Sequence, residues 1–194
     1  MDADGLVLAC ATTTERRAAK RSGLPTALVG LAARRDLPEG RLVSFGLAGA
    51  LRDELECGTV IDATRVVDES GGILWEGPPL GVADALEGTI LAATRLIDEP
   101  AERRRLGKAS NADAVDMESG PLAHTGRLAG CIRVVSDTPS RTLQGIEVSI
   151  TPEGKLACRG FARALLRNPN GVVRASVDGH RALRRLRRVA EGLG

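Results

Sequence analysis

Short apolar runs alternate with polar, helix-like segments along most of the 194-residue chain. Several runs are nearly continuous in apolar residues, which is typical of strands that are covered on both faces. The pattern predicts seven strands, over residues 6–11, 26–31, 41–46, 59–68, 89–98, 112–117 and 130–136. It predicts four helices between them, over residues 12–22, 78–88, 100–110 and 119–129. This alternation favours an α/β fold, a single three-layer domain over residues 1–194 with a mixed, mostly parallel, twisted sheet and helices on both faces.

The C-terminal part of the chain, residues 155–194, is a basic segment that we predict to be a helical tail. Leu183, Leu186 and Val189 recur there at helical spacing, which indicates one face packed on the core. The basic residues admit two interpretations, a solvated helix face or a surface that contacts an anionic membrane or partner. In the second interpretation, the residues that face anionic headgroups are Arg181, Arg184, Arg185, Arg187 and Arg188.

Charge and aromatic content narrow the classes of partner. The net charge is only +2, which argues against a protein that binds nucleic acid through its overall charge. Aromatic side chains are limited to two Phe and one Trp, so a base-stacking platform for single strands is not expected. We therefore expect no nucleic-acid partner.

Cysteine and histidine usage favours a reduced, cytoplasmic protein without a metal. The cysteines form no CxxC pair and lie mostly in or beside apolar stretches, at positions 10, 57, 131 and 158. His124 and His180 are too few and too isolated for a convincing metal site. The acidic start of the chain does not resemble a signal peptide, and no apolar run approaches the roughly 18 residues that span a bilayer.

Polar residues stand where several predicted strands end. Glu15 follows the first strand, Glu118 the sixth and Asp137 the seventh, while the third strand runs into a glycine turn at residues 44–49. Each alone fits a first-turn acid, a cap or an ordinary turn. Ligands of open α/β sheets bind at the carboxyl ends of strands, so the same residues together favour a functional site.

Five stretches carry a resemblance to a known family. "LVSFGLAGAL" (42–51) followed by "GTVIDATRVVD" (58–68) resembles the purine and uridine phosphorylase superfamily. "AVDMES" (114–119) followed by "IRVVSDT" (132–138) resembles the paired signature of the methylthioadenosine/S-adenosylhomocysteine nucleosidases. The tail over residues 165–193 is similar to the hopanoid-associated phosphorylases of this superfamily, which are thought to remove adenine from adenosylhopane.

The resemblance implies an N-glycosyl hydrolase or phosphorylase that releases adenine, uses no cofactor and forms a homodimer. It implies that Asp137 protonates the leaving base, because a purine is a poor anion, and that Glu15 activates the attacking water. It also implies that Glu118 binds the ribose hydroxyls while Met117 packs on the sugar. Further implied substrate contacts are Ser44, Gly46, Ala48, Gly49 and Ser136.

The nucleophile is less defined than the reaction class. Ser44 stands where bacterial phosphorylases of the superfamily usually carry an arginine that clamps phosphate, which favours water over phosphate. Alternative sources of positive charge for phosphate are Arg16, Arg17 and Arg65. The aromatic residue that stacks on the base in relatives is replaced by the aliphatic stretch 95–97, so Trp75 or Phe45 is expected to take its place.

Two other functions fit the same residues. The substrate is then methylthioadenosine, S-adenosylhomocysteine or futalosine, or the chain is a nucleoside-binding protein without catalytic activity. The presence of Glu15, Glu118 and Asp137 together argues against a mere binder, which has no need of all three acids.

Overall fold

The computed structural model describes residues 5–140 and 169–193. The strands are β1 Leu6–Cys10, β2 Thr26–Leu28, β3 Arg41–Ala50, β4 Val60–Val67, β5 Ile73–Glu76, β6 Leu86–Ala92, β7 Ala114–Asp116 and β8 Leu128–Asp137. The helices are α1 Thr13–Ala19, α2 Pro100–Ser110, α3 Ser119–Ala123 and α4 Pro169–Glu191, with 3-10 turns at Lys20–Ser22 and Leu31–Ala33. Cys158 and the first part of the predicted tail, residues 155–168, lie outside the described residues.

The sheet closes on itself through β8. The strands follow the order β2-β1-β3-β7-β6-β4-β5, and β8 pairs with both β3 and β4. Strands β3, β7, β6, β4 and β8 therefore form a ring, β1 and β2 extend it beside β3, and β5 lies beside β4. Of the eight pairings among these strands, five are parallel and three antiparallel. This confirms the predicted mixed, mostly parallel sheet.

Helices cover the sheet on both faces, as predicted. On one face, α1 and α4 pack on a cluster that includes Leu8 and Phe45 of the sheet. On other parts of the sheet, Leu122 of α3 and Leu106 of α2 belong to two separate apolar clusters. Leu186 of α4 is fully buried, so the predicted apolar stripe of the tail does face the core.

The predicted helix over residues 78–88 is wrong. Pro78 and Pro79 cannot donate backbone hydrogen bonds, and Gly81 adopts a left-handed φ of 80°. The carboxylate of Asp62 on β4 accepts hydrogen bonds from the backbone N–H groups of Leu80 and Val82, each at 3.0 Å. The apolar spacing that suggested a helix therefore belongs to a loop that Asp62 ties to the sheet.

Other predicted boundaries also shift. The helix predicted over 119–129 ends at Ala123, because Gly126 adopts φ 66° in a turn before β8. The strand predicted over 89–98 is β6, which begins at Leu86 and ends at Ala92. The short edge strand β5 follows Gly71–Gly72 and was not predicted.

Three cysteines lie in the described part of the chain, at positions 10, 57 and 131; all are buried, and none forms a disulfide within that part. Burial raises the pKa of the Cys131 thiol to about 12, so it behaves as a small apolar residue. Within residues 5–140 and 169–193, no helix combines the length and apolar character needed to cross a membrane. In the same two ranges, no three His, Cys, Asp or Glu side chains group as metal ligands.

We expect the Asp62→Ala substitution to destabilise the fold. It leaves the N–H groups of Leu80 and Val82 without their carboxylate, which costs about 2 kcal/mol or more in the free energy of unfolding. Urea denaturation measures the loss. The matched control is Glu87→Ala on the neighbouring strand, an exposed carboxylate, for which little change is expected. Equal stability of the two variants would contradict the role given to Asp62.

Candidate active site

The candidate residues lie mainly along two parallel neighbours, β3 and β8. The register pairs Ser44 with Cys131, Gly46 with Arg133 and Gly49 with Asp137. Arg133 and Asp137 are four residues apart on β8, which is about 13 Å along a strand. Residues gather around each of these two points. We call the first group the Arg133 cluster (Glu15, Ser44, Asp116, Glu118, Arg133). We call the second group the Asp137 cluster (Ala48, Gly49, Arg103, Ser136, Asp137).

Arg133 is the buried centre of the first cluster. Its side chain is 1% exposed, and its Nη2 donates a hydrogen bond of 2.6 Å to Ser44 Oγ. The same nitrogen forms an ion pair with Asp116 and lies 3.8 Å from Glu118 Oε2. Burial opposes the charged guanidinium, but Asp116 and the other acids around it hold the pKa of Arg133 above its usual range. Arg133 is therefore a fixed positive charge inside the protein.

Glu15 meets Arg133 above Gly46. Glu15 lies in the first turn of α1, where its Oε2 accepts hydrogen bonds from the N–H and hydroxyl of Thr12 at 2.8 and 2.9 Å. Its Oε1 accepts a hydrogen bond of 2.9 Å from the N–H of Leu47 on β3. A Cβ added to Gly46 would lie 2.5 Å from Glu15 Oε1 and 2.7 Å from Arg133 Nη1. Any larger residue at position 46 would push these two charged groups away.

The predicted glycine turn at residues 44–49 is wrong, because these residues belong to β3, which continues to Ala50. Gly46 and Gly49 serve close approach rather than a turn. At Gly49, an added Cβ would lie 3.0–3.1 Å from three atoms of the Arg103 guanidinium. Both glycines thus leave room for a charged side chain to lie against the strand.

Glu118 follows β7 and points back towards Arg133. Its Oε1 accepts a hydrogen bond of 2.9 Å from the N–H of Ala32 in the turn Leu31–Ala33. Burial raises the pKa of Glu118 to about 7; Arg133 opposes this increase, while Asp116 and Glu15 add to it. The Glu118 carboxyl group therefore changes between its protonated and ionised forms near neutral pH.

The Arg133 cluster holds more negative than positive groups. Three buried carboxyl groups, Glu15, Asp116 and Glu118, act electrostatically on the single guanidinium of Arg133. Asp116 also accepts a hydrogen bond of 3.2 Å from the N–H of Ser119. The three carboxyl groups outnumber the one guanidinium. The arrangement suits a ligand that carries or develops positive charge.

Asp137 at the other end is engaged through both carboxylate oxygens. Its Oδ1 accepts a hydrogen bond of 2.7 Å from the Ser136 hydroxyl, which also lies 3.2 Å from the Ala48 carbonyl oxygen. Its Oδ2 forms an ion pair with Arg103, and both side chains are buried. Ser136 is the extra residue of an irregularity, because Ala48 pairs with Val135 and Gly49 with Asp137. Such bulges re-aim side chains at the ends of strands.

Sequence reasoning missed both buried arginines. Arg133 carried a usable signal, since an arginine inside the apolar run 130–135 has to be paired if the strand is buried. Arg103 carried none that separates it from its neighbours in the run Glu102–Arg105. On α2 it turns inward, where its Nε donates a hydrogen bond of 2.7 Å to the carbonyl of Ile97.

The two residues expected to replace the aromatic side chain that stacks on the base, Phe45 and Trp75, lie in different surroundings. Phe45 is wrong for this role, because its ring is fully buried in the cluster under α1 and α4. Trp75 is half-buried on β5 and packs against the apolar cluster that contains Leu122. Met117 is half-buried between Asp116 and Glu118. A role for Trp75 or Met117 at a ligand stays a prediction.

The arginines considered as alternative partners for phosphate are not members of either cluster. Arg65 is exposed and pairs with Glu76 at 3.4 Å on the neighbouring edge strand. Arg17 is exposed and Arg16 is half-buried on α1. Arg133 is instead the cation that contacts Ser44.

Comparison with known proteins identifies the fold. No protein-family model and no curated protein matches the sequence. Among solved structures, the 5′-methylthioadenosine nucleosidase of Arabidopsis thaliana aligns with a TM-score of 0.61 at 13% identity, over 97% of this chain and 95% of that one. A mutant Helicobacter pylori methylthioadenosine nucleosidase with 5′-methylthioadenosine in its active site gives 0.57 at 14% identity, over 97% and 99%. Futalosine hydrolase of Helicobacter pylori gives 0.55 at 14%, over 90% and 96%. The chain therefore has the nucleoside phosphorylase and nucleosidase fold.

We expect Arg133→Met to be strongly destabilising. Removing the guanidinium leaves Asp116 and Glu118 buried without their cation, a change that costs about 3–5 kcal/mol in comparable buried pairs. Urea denaturation measures it. Arg104→Met is the matched control, since it breaks an exposed pair with Asp53 and should leave the unfolding free energy nearly unchanged. A small effect of Arg133→Met would show that the buried pair is not a major constraint.

Glu118 should make stability depend on pH. The folded chain keeps the Glu118 proton up to about pH 7, whereas the unfolded chain releases it near 4.5, so folding loses stability as the pH rises between these values. Glu118→Gln keeps an acceptor for Ala32 and removes the ionisation. Its stability relative to the unsubstituted protein should therefore improve between pH 5 and pH 8, by more than about 1 kcal/mol. Glu54→Gln, at an exposed position, is the control. A stability difference that is the same at both pH values would contradict the buried titration.

Proposed function

We propose that the protein cleaves the N-glycosidic bond of a purine nucleoside and releases adenine from a 5′-substituted adenosine such as adenosylhopane. The observation that carries the proposal is the pair of clusters along β3 and β8, about 13 Å apart on the strand. One cluster contains the acid that the reaction needs at the base. The other contains the excess of carboxylates that the reaction needs at the sugar.

The chemistry assigns a task to each cluster. When the bond between C1′ and the base nitrogen breaks, the bonding electrons leave with the base and the ribosyl group becomes positively charged. Glu15 and Glu118 stabilise that charge, and Glu118 also accepts hydrogen bonds from ribose hydroxyls. Water then adds its oxygen to C1′ and gives a proton to Glu15, while the base receives a proton from Asp137.

The electrostatics favour water over phosphate as the nucleophile. Phosphate would enter a buried cluster in which carboxylates outnumber the single cation, Arg133, and that cation already contacts Asp116 and Ser44. Like charges at this range repel strongly in a medium of low dielectric constant. Water meets no such barrier, so we propose a nucleosidase rather than a phosphorylase.

Asp137 has to change partners before it can act as an acid. Its Oδ1 accepts a hydrogen bond from the Ser136 hydroxyl and its Oδ2 is ion-paired with Arg103, so neither oxygen is available to contact a base. We propose that the base displaces Arg103 from Oδ2 as it binds, that Asp137 then takes up a proton from solvent, and that the protonated carboxyl group faces the base. Gly49 leaves the space in which this exchange takes place.

The second candidate function differs from the first in the substrate. The aligned solved structures are named as nucleosidases for 5′-methylthioadenosine and as futalosine hydrolase, which supports either of these substrates as the alternative. Adenosylhopane rests on the sequence resemblance of residues 165–193. A nucleoside-binding protein without activity explains the fold, but not the excess of buried carboxylates.

Location and assembly stay predictions. We propose a cytoplasmic homodimer, as the sequence resemblance implies. Contact of the α4 arginines with anionic lipid is a separate prediction. Arg181, Arg184, Arg187 and Arg188 are exposed on that helix, which is compatible with it.

Chromatography of free adenine tests the reaction. The substrates are adenosine, methylthioadenosine and a lipophilic 5′-substituted adenosine, each with and without phosphate. We expect adenine release that does not depend on phosphate and is fastest with the lipophilic substrate. Strict dependence on phosphate would contradict the nucleosidase proposal, and fastest release from methylthioadenosine would favour the second candidate.

Asp137→Asn should separate chemistry from binding. The amide has no proton to donate to the base, so the rate of adenine release should fall by about 10²–10⁴ while the nucleoside still binds. Asp53→Asn, an exposed carboxylate paired with Arg104, is the control and should leave the rate unchanged. Full activity of Asp137→Asn would exclude Asp137 as the acid.

A further inference from the structure

A groove separate from both clusters lies between α4 and the connection from β3 to β4. Its volume is about 580 Å³, within the range of small-molecule sites. One wall is the helix, with guanidinium groups at four positions that share one helix face, Arg181, Arg184, Arg185 and Arg188. Residues 56–59 of the connection also line it. The groove is thus a cleft with cations along one side.

Arginines outnumber acids among the described residues that line the groove. Glu56 is the one acid in that described lining. Asp84 approaches Arg185 at 4.0 Å but is itself 88% exposed, so the pair is weak. Residues 141–168, which lie outside the described part of the chain, carry five Lys or Arg and two Asp or Glu, a net +3, and so add no net negative charge. An anion from outside the chain would complement the groove.

We infer that this groove binds a compact, soluble molecule that carries two linked phosphate groups. Guanidinium groups bind phosphate oxygens in pairs of parallel hydrogen bonds, and four of them around one cleft match a diphosphate better than a single charge. Concavity argues for a soluble ligand over a flat bilayer. Arg187 is exposed on the same helix but does not line the groove. A flat anionic surface would contact Arg187 as well as the groove arginines, whereas a ligand inside the groove would contact the groove arginines alone.

The groove lies close behind the end of β8. The N–H of Gly58 donates a hydrogen bond of 2.8 Å to the Val135 carbonyl, and Cys57 Sγ donates to the Ser136 carbonyl at 3.5 Å. Arg181 covers Gly58, where an added Cβ would lie 3.7 Å from its Nε. A bound ligand would therefore contact a backbone segment hydrogen-bonded to the strand that carries Asp137. The inference does not depend on the reaction proposed above.

Calorimetric titration with pyrophosphate at constant ionic strength tests the groove. We expect the double substitution Arg184→Gln/Arg188→Gln to weaken binding by at least about tenfold, because two charged hydrogen-bonding groups are lost. Arg187→Gln is the matched control, with the same change of residue on the same helix outside the groove, and should weaken binding by less than about twofold. Glu56→Gln removes the one acid among the described lining residues, so binding should become tighter. That gain cannot result from misfolding.

Three outcomes would overturn the inference. The first is no binding of pyrophosphate by the unsubstituted protein. The second is an equal loss in the Arg187 control and in the double variant, which would indicate a diffuse charge effect. The third is cosedimentation with phosphatidylglycerol vesicles, without pyrophosphate binding and with equal dependence on Arg187, which would identify a membrane surface instead.

Discussion

The buried guanidinium of Arg133 is the interaction on which the rest of the candidate site depends. A charge in the protein interior is tolerated only where partners compensate for its lost hydration. Asp116 and Ser44 supply those contacts, and Glu118 lies at 3.8 Å. The cluster contains more acidic groups than the guanidinium needs as partners, since three carboxyl groups surround one cation. That surplus is what gives the cluster its capacity to stabilise positive charge in a ligand.

The closed sheet determines where this surplus can act. Because β8 pairs with β3 in parallel, the residues of both strands advance in the same direction, from Arg133 and Gly46 to Asp137 and Gly49. Each glycine admits a charged side chain against the strand, Glu15 with Arg133 at the first point and Arg103 at the second. One elongated ligand lying along the strands would therefore meet an anionic region at one end and an acid at the other. A nucleoside has this division between sugar and base.

Much of the fold was predictable because buried strands leave clear apolar runs, while the failures have local causes. The loop over residues 78–85 has apolar residues at helix-like spacing, yet two prolines and the Asp62 hydrogen bonds exclude a helix. The carboxylates of the site were visible at strand ends. Their cations were not, because Arg103 lies in a run of three arginines and only the packing of α2 decides which one turns inward. The glycines were also misinterpreted, since a sequence does not show which side chain will lie over a strand.

The central claim is that the Arg133 cluster stabilises a positively charged ribosyl group. The most direct measurement is the ratio of dissociation constants for two adenine analogues of equal shape, one with a protonated pyrrolidine in place of ribose and one with a neutral ring. The account predicts that the cationic analogue binds at least about 100-fold more tightly, as expected for a mimic of the transition state. Equal affinity for the two analogues would contradict it and would favour a protein that only binds nucleosides.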